Sequence, residues 1–158
     1  MIRLLPAINP KDYTIAAQLF EEYATQIGVD LSFQNFKEEL AAIEQQYGKP
    51  NGVIYLAYDR QDHPAGCFGI RPFDGTICEL KRMYLQPSLR GKGVGKQMLQ
   101  KAIEVGKNLG YTKMRLDTLP TMESAIGLYK KLGFYEIPAY RYNPIAGTKY
   151  FELDLKNP

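Results

Sequence analysis

Seven residues, Arg90-Gly91-Lys92-Gly93-Val94-Gly95-Lys96, constrain this chain more than any other stretch. Glycines at alternate positions let the backbone take conformations closed to other residues and come close to a ligand, with several N–H groups able to converge on one anion. The flanks decide how the loop is presented. Upstream, Thr76 to Leu85 is rich in strand-favouring residues, and Pro87, which has no N–H, ends the ladder. Downstream, Val94, Met98, Ala102, Val105 and Leu109 recur at helical spacing, and Gly110 closes the stripe. The glycines are therefore expected at a helix N-terminus, where uncommitted N–H groups and the positive end of the dipole attract phosphate. Arg90, Lys92 and Lys96 add formal charge, so the expected anion is a pyrophosphate. A solvated turn is the competing reading of the loop taken alone.

Three better-known glycine loops do not fit. A Walker A loop needs Gly-Lys followed by Ser or Thr, whereas Gly95-Lys96 is followed by Gln97. The dinucleotide fingerprint and the kinase loop need Gly-x-Gly-x-x-Gly, and the spacing here is Gly-x-Gly-x-Gly.

Around the loop, the pattern predicts a strand at 2–5, helices at 12–27 and 33–47 with Ser32 as N-cap of the second, and strands at 53–58 and 65–71. Asp74-Gly75 marks a hairpin into the strand at 76–85. Strands follow at 113–118, 134–137 and 149–155, with a helix between the first two. Antiparallel strands first and a strand-helix-strand crossover later imply an α+β (mixed α/β) fold with Leu85 and Leu116 in parallel neighbours. At 158 residues and 45% hydrophobic, the chain is expected to form a single domain over 1–158 that buries about two-thirds of its unfolded surface.

Cys67 and Cys78 lie on the two arms of the hairpin. A two-residue turn at Asp74-Gly75 would place Cys67 opposite Arg82 and Cys78 opposite Arg71, so the thiols would not face each other. Neither has a His or Cys at ligand spacing, and no metal site is expected. His63, beside Pro64 in a turn, reads as a surface residue. A net charge of +3 without a polybasic tract disfavours direct nucleic-acid binding. No run of 18 apolar residues and no leader pattern is present, so no membrane partner and a cytoplasmic location are expected.

Arg90, Gly93 and Gly95, after a strand ending in Leu85-x-Pro87, resemble the acetyl-coenzyme A loop of the GNAT superfamily of N-acetyltransferases. Ala125-Ile126-Gly127-Leu128-Tyr129-Lys130-Lys131-Leu132-Gly133-Phe134 is similar to that superfamily's later helix, and one strand separates the two motifs, as in the family. The resemblance extends from Ile2 to Leu155. It implies a central, mostly antiparallel, twisted sheet of 6–7 strands with a parallel pair that splays apart, flanked by about four helices. It also implies acetyl-CoA as cosubstrate and a small-molecule or peptide amine as acceptor. A non-catalytic acyl-CoA sensor on the same fold is the alternative, and homodimers are common in the superfamily.

On that resemblance the pantetheine pairs with backbone groups of Met83, Tyr84 and Leu85, and a strand N–H near Met83 or Tyr84 meets the oxyanion. The pyrophosphate lies on Gly91, Lys92, Gly93, Val94, Gly95 and Lys96, next to Arg90. Tyr129 matches the tyrosine that protonates the departing sulfur; core packing is its other reading. Met122 stands where many members carry an asparagine, which puts the amide contact on Ser124 or Thr121.

Glu79 is the expected base or acceptor anchor. Strict alternation puts it on one face with Lys81, Met83 and Leu85, and partial burial would raise its pKa; a salt bridge to Lys81, Arg82 or Arg71 is the alternative. Asp117 is the second candidate, with an N-cap role competing. The resemblance places the acceptor between 26–36 and 135–148, where Asp30, Phe33, Phe36, Tyr140, Arg141 and Tyr142 offer ring faces and a cation. Tyr23, Tyr47 and Tyr135 belong to the same expected aromatic set.

Overall fold

The computed structural model describes residues 2–28 and 30–156, apart from the side chains of Phe33 and Gln34. One mixed sheet carries the fold. Its strands are β1 (Arg3–Pro6), β2 (Val53–Tyr58), β3 (Pro64–Asp74), β4 (Ile77–Leu85), β5 (Lys113–Thr118), β6 (Tyr135–Ile137) and β7 (Lys149–Asp154), in the order β1-β2-β3-β4-β5-β7-β6. Among the described residues only the β4–β5 neighbours run parallel. Five helices of the described residues flank the sheet: α1 (Pro10–Ile27), α2 (Phe36–Ala41), α3 (Ile43–Tyr47), α4 (Val94–Asn108) and α5 (Glu123–Lys131).

Two apolar clusters sandwich the sheet. Val94, Met98, Leu99, Ala102 and Val105 of α4 pack with Ile126 and Tyr129 of α5 against Cys78, Leu80, Met114 and Leu116. On the other face Ala16, Leu19 and Phe20 of α1 and Tyr47 cover Ile54, Leu56 and Cys67. Each large side chain so buried contributes about 1.5–3 kcal/mol.

The second expected helix is broken. A 3₁₀ turn at Leu31–Gln34 is capped by Asp30, whose carboxylate accepts from Ser32 N at 2.9 Å, so Asp30 and not Ser32 is the cap. Asn35 then takes a left-handed conformation, φ 57°, which an asparagine tolerates, and Ala42 separates α2 from α3. The first helix instead begins on Asn9, whose side chain accepts from Asp12 N at 2.9 Å.

The hairpin register also differs from expectation, and here the difference shapes the site. Cys67 pairs with Tyr84 and Cys78 with Pro72, not with Arg82 and Arg71, because the β3–β4 ladder slips near the turn and again between Cys67 and Gly69. At the second slip Arg82 and Met83 together face the single residue Phe68, and Arg82 has φ 57°. This β-bulge inverts the alternation of β4. Glu79, Lys81, Arg82 and Tyr84 face α1 and α2, while Met83 and Leu85 turn to the α4 side; the expected common face of Glu79, Met83 and Leu85 does not exist. The cysteines sit in opposite clusters, and burial pushes both thiols up, Cys78 to about 12.

Candidate active site

The parallel β4–β5 ladder covers only Ile77–Glu79 against Lys113–Arg115. Beyond that point β4 runs on to Leu85 and β5 to Thr118 with no register between them, so the strands part where the bulge at Arg82 bends β4. The opening holds a narrow cavity walled by Leu80, Lys81, Met83, Leu116, Met122 and Tyr129, among others. A second small space, between the end of α1 and the 143–148 loop, shares Tyr23, Arg82, Asp117 and Thr118 with it.

The glycine loop leads from the end of the parted strand into α4. Gly91 (φ 75°) and Gly93 (φ 77°) are left-handed, and a Cβ at either would meet nothing within 4 Å. Their lack of a side chain therefore serves backbone conformation and an open face, not packing. Arg90 Nε donates to Leu85 O at 3.0 Å, which pins the loop to the end of β4. Lys92 and Lys96 are exposed, and Val94 points its side chain into the core, leaving only its main chain to the loop. At Gly95 a Cβ would lie 3.8 Å from Leu128 and 3.9 Å from Leu85. Gly93→Ala should lower stability by about 1 kcal/mol through left-handed strain alone, since no atom opposes the added methyl, and a denaturant titration measures it.

Tyr129, 7% exposed, rests against Phe134 and Phe151 with ring centroids at 5.7 and 6.1 Å while also lining the first cavity, so packing and exposure to the cleft coexist. Burial raises its pKa, with smaller contributions from Tyr23 and Asp117, and the phenol stays protonated across the neutral range. Met122 reaches the cavity beside Thr118, whose hydroxyl lies 3.7 Å from its sulfur. Ser124 is exposed on the first turn of α5 and lines neither space.

Below the bulge lies a buried ionic network. Arg82 grips Glu39 of α2, with Nη2–Oε1 at 2.7 Å and Nε–Oε2 at 3.1 Å, while its guanidinium covers the rings of Phe36 and Tyr23. Glu39 Oε2 also accepts from Tyr47 at 2.7 Å. Tyr47 reaches it because Gly69 leaves room, its missing Cβ lying 2.6 Å from the ring. Glu79, 1% exposed, binds Arg141 at 2.6 Å, Arg71 at 3.3 Å and Tyr140 at 3.0 Å.

Burial alone would raise the Glu79 pKa, but Lys81, Arg141 and Arg71 outweigh it and hold the carboxyl below its usual range. The expected elevation does not occur. Lys81, 3% exposed, is pushed down to about 7, first by burial and then by Arg82, with Glu79 and Asp117 opposing. The sequence singled out Glu79 but not Lys81, because only the fold buries that ammonium between two strands.

The expected acceptor walls are partly assembled. Tyr140 and Arg141 join Glu79, and Phe36 lies under Arg82, but Tyr47 is buried beneath β3 and Tyr142 is 77% exposed. The Phe33 side chain lies outside the described residues. His63 is exposed, as expected, beside Asp59. No helix of the described residues is long and apolar enough to cross a membrane.

Known proteins share this fold. The family model described as Acetyltransferase (GNAT) family matches residues 16–134. The chain is 38% identical over 147 residues to an uncharacterised N-acetyltransferase of Schizosaccharomyces pombe, covering 92% of this chain and 90% of the relative. Among solved structures it is similar to a GNAT-family acetyltransferase of Staphylococcus aureus, with TM-score 0.79, 21% identity and coverage of 98% and 99%. A Bacillus subtilis acetyltransferase in complex with CoA matches with TM-score 0.69, 21% identity and coverage of 98% and 99%. A parted parallel strand pair, a glycine loop at the start of α4 and a family match over most of the length lead to one conclusion: the chain belongs to the GNAT family of acetyltransferases.

Proposed function

We propose that this protein transfers the acetyl group of acetyl-CoA directly to a primary amine of a small molecule or peptide, both bound at once. The observation that carries the reading is the parting of β4 and β5, with Tyr129 in the opening and the glycine loop at its end. The residues present suit the cosubstrate. The open left-handed faces of Gly91 and Gly93, with the N–H groups through Lys96, would hold a pyrophosphate at the helix N-terminus, and Lys92 and Lys96 would supply charge to the phosphates. Met83, Tyr84 and Leu85 would offer main-chain groups along the edge that β5 leaves, and Met122 an apolar contact. When bound, acetyl-CoA supplies the activated acyl group. The protein's share is to position the amine, take up its proton and return one to sulfur.

Tyr129 is the proposed proton donor to sulfur, and an N–H of Met83 or Tyr84 the oxyanion partner. Glu79 is a positioning residue in this reading, because three donors already hold its carboxylate.

The test is thiol release from acetyl-CoA with a panel of 2-phenylethylamine, spermidine, L-lysine, an aminoglycoside and a short peptide. Amine-dependent release with acetylated amine in the mass spectrum is expected. Tight CoA binding without release from any amine would make the protein a sensor, and no calorimetric heat with CoA would end the reading altogether.

A further inference from the structure

The two spaces meet at a wall that contains Asp117, and one oxygen of that carboxylate is left over. Among the described residues Asp117 Oδ2 is buried without a hydrogen-bond partner, Arg141 Nη1 standing 3.8 Å away. A buried carboxylate oxygen in this condition calls for a donor. Lys81 lines the first space, on β4 immediately before the bulge. The guanidiniums nearby are already engaged by carboxylates of the chain: Arg82 by Glu39, Arg71 and Arg141 by Glu79. The second space is bounded by the aliphatic side chains of Ile27, Leu31, Leu119 and Ile145. The chemistry of these walls suits a cation with an apolar arm; a ligand carboxylate would compete with Glu39 and Glu79 for its guanidinium.

We propose that Asp117 and Lys81 form the acceptor's proton site: the ammonium of a small aliphatic or arylalkyl amine rests on Asp117 Oδ2 and gives its proton to Lys81 Nζ. This rests on the acetyl-transfer reading. The groups facing Lys81 are Glu79 and Arg82 on β4, Asp117 on β5, Glu39 on α2 and Arg141 before β7, with the Tyr23 and Tyr129 phenols across the cavity. Burial is the largest influence on Lys81 and favours its neutral amine; Arg82 and Arg141 act in the same direction, Glu79 and Asp117 oppose them, and the pKa comes to about 7.

The lysine lone pair takes one ammonium proton, and the freed nitrogen attacks the thioester carbon. As the C–N bond forms and the C–S bond breaks, Tyr129 gives its proton to the thiolate and recovers the second nitrogen proton. Lys81 then releases its proton to water, one per turnover.

With the panel amine that releases thiol fastest as probe, wild-type kcat/KM should climb with pH through about 7. Lys81→Arg keeps a cation that does not give up its proton; it should lose about 10²-fold in kcat at pH 8 and the rising limb, with CoA affinity kept. Asp117→Asn should raise the amine KM about tenfold. Wild-type melting compared with Lys81→Met supplies a readout free of turnover. A lysine whose folded pKa is depressed leaves the unfolded state holding more protons between about 7 and the ordinary lysine value, so relative wild-type stability should rise across that window. A Lys81→Arg enzyme with unchanged rate and limb, or melting curves that stay parallel from pH 7 to 10, overturns the proposal. A wild type that releases no thiol with any amine removes the acetyl-transfer reading beneath it instead.

Discussion

Tyr129→Phe should lower amine-dependent thiol release by about 10³-fold while CoA affinity and melting temperature stay close to wild type. The substitution removes one oxygen and keeps the ring that packs on Phe134 and Phe151, so the helix and its core contacts survive. What disappears is a proton held at the cleft by burial. The phenol's pKa lies above its ordinary value, so the donor form persists at every pH where an amine acceptor is reactive, and no other hydroxyl of α5 lines that cavity. Departure of a thiolate without a donor costs most when the sulfur is shielded from water. Steady-state kinetics and calorimetry on the same preparation check the result. Turnover within a few-fold of wild type would leave Tyr129 as a packing residue alone and shift the sulfur's proton to solvent.

The parts of this site visible in the sequence were those written in local chemistry. The glycines of 91–95 need open backbone conformations wherever they fold, and the stripe from Val94 to Val105 states its own period, so loop, helix and their junction could be placed from residues alone. Tyr129 was legible for a different reason, as part of a motif spaced from the loop. The bulge was not legible. Nothing in Lys81-Arg82-Met83 announces a left-handed residue, because Arg82 is held there by tertiary contacts with Glu39, 43 residues earlier in the chain. Strict alternation therefore carried Glu79 to the face of Met83 and Leu85, and partial burial implied a raised pKa. The fold reversed both. The cations that lower Glu79 come from β3, β4 and the segment before β7, which no local pattern joins. The helix expected over 33–47 failed similarly, its apolar spacing continuing across an asparagine whose φ is 57°.

Glu39→Ala should be the most damaging single change to stability away from the apolar core, at about 3–5 kcal/mol, or roughly 10 °C or more in melting temperature. Its carboxylate is 1% exposed and accepts from Arg82 twice and from Tyr47 once. Removal leaves a buried guanidinium without its counterion, and at the one non-glycine residue of β4 with a left-handed backbone. The penalty belongs to the orphaned charge and not to the pair itself, so Glu39→Ala with Arg82→Met should recover a large part of the loss. A double variant as unstable as the single one would mean that the bulge, not the charge, sets the cost. The pH dependence follows from the same contacts. Burial opposes ionisation of Glu39, but Arg82 and Tyr47 prevail and hold its pKa below the ordinary 4.5. A depressed carboxylate contributes stability that is complete above that value and is lost as pH falls through the folded pKa, because the unfolded chain binds the proton first. Glu79 and Glu152 are depressed in the same direction. Acid unfolding of the wild type should therefore begin below about pH 4.5, and Glu39→Gln, with one titrating carboxylate fewer, should show a shallower fall in melting temperature over that range.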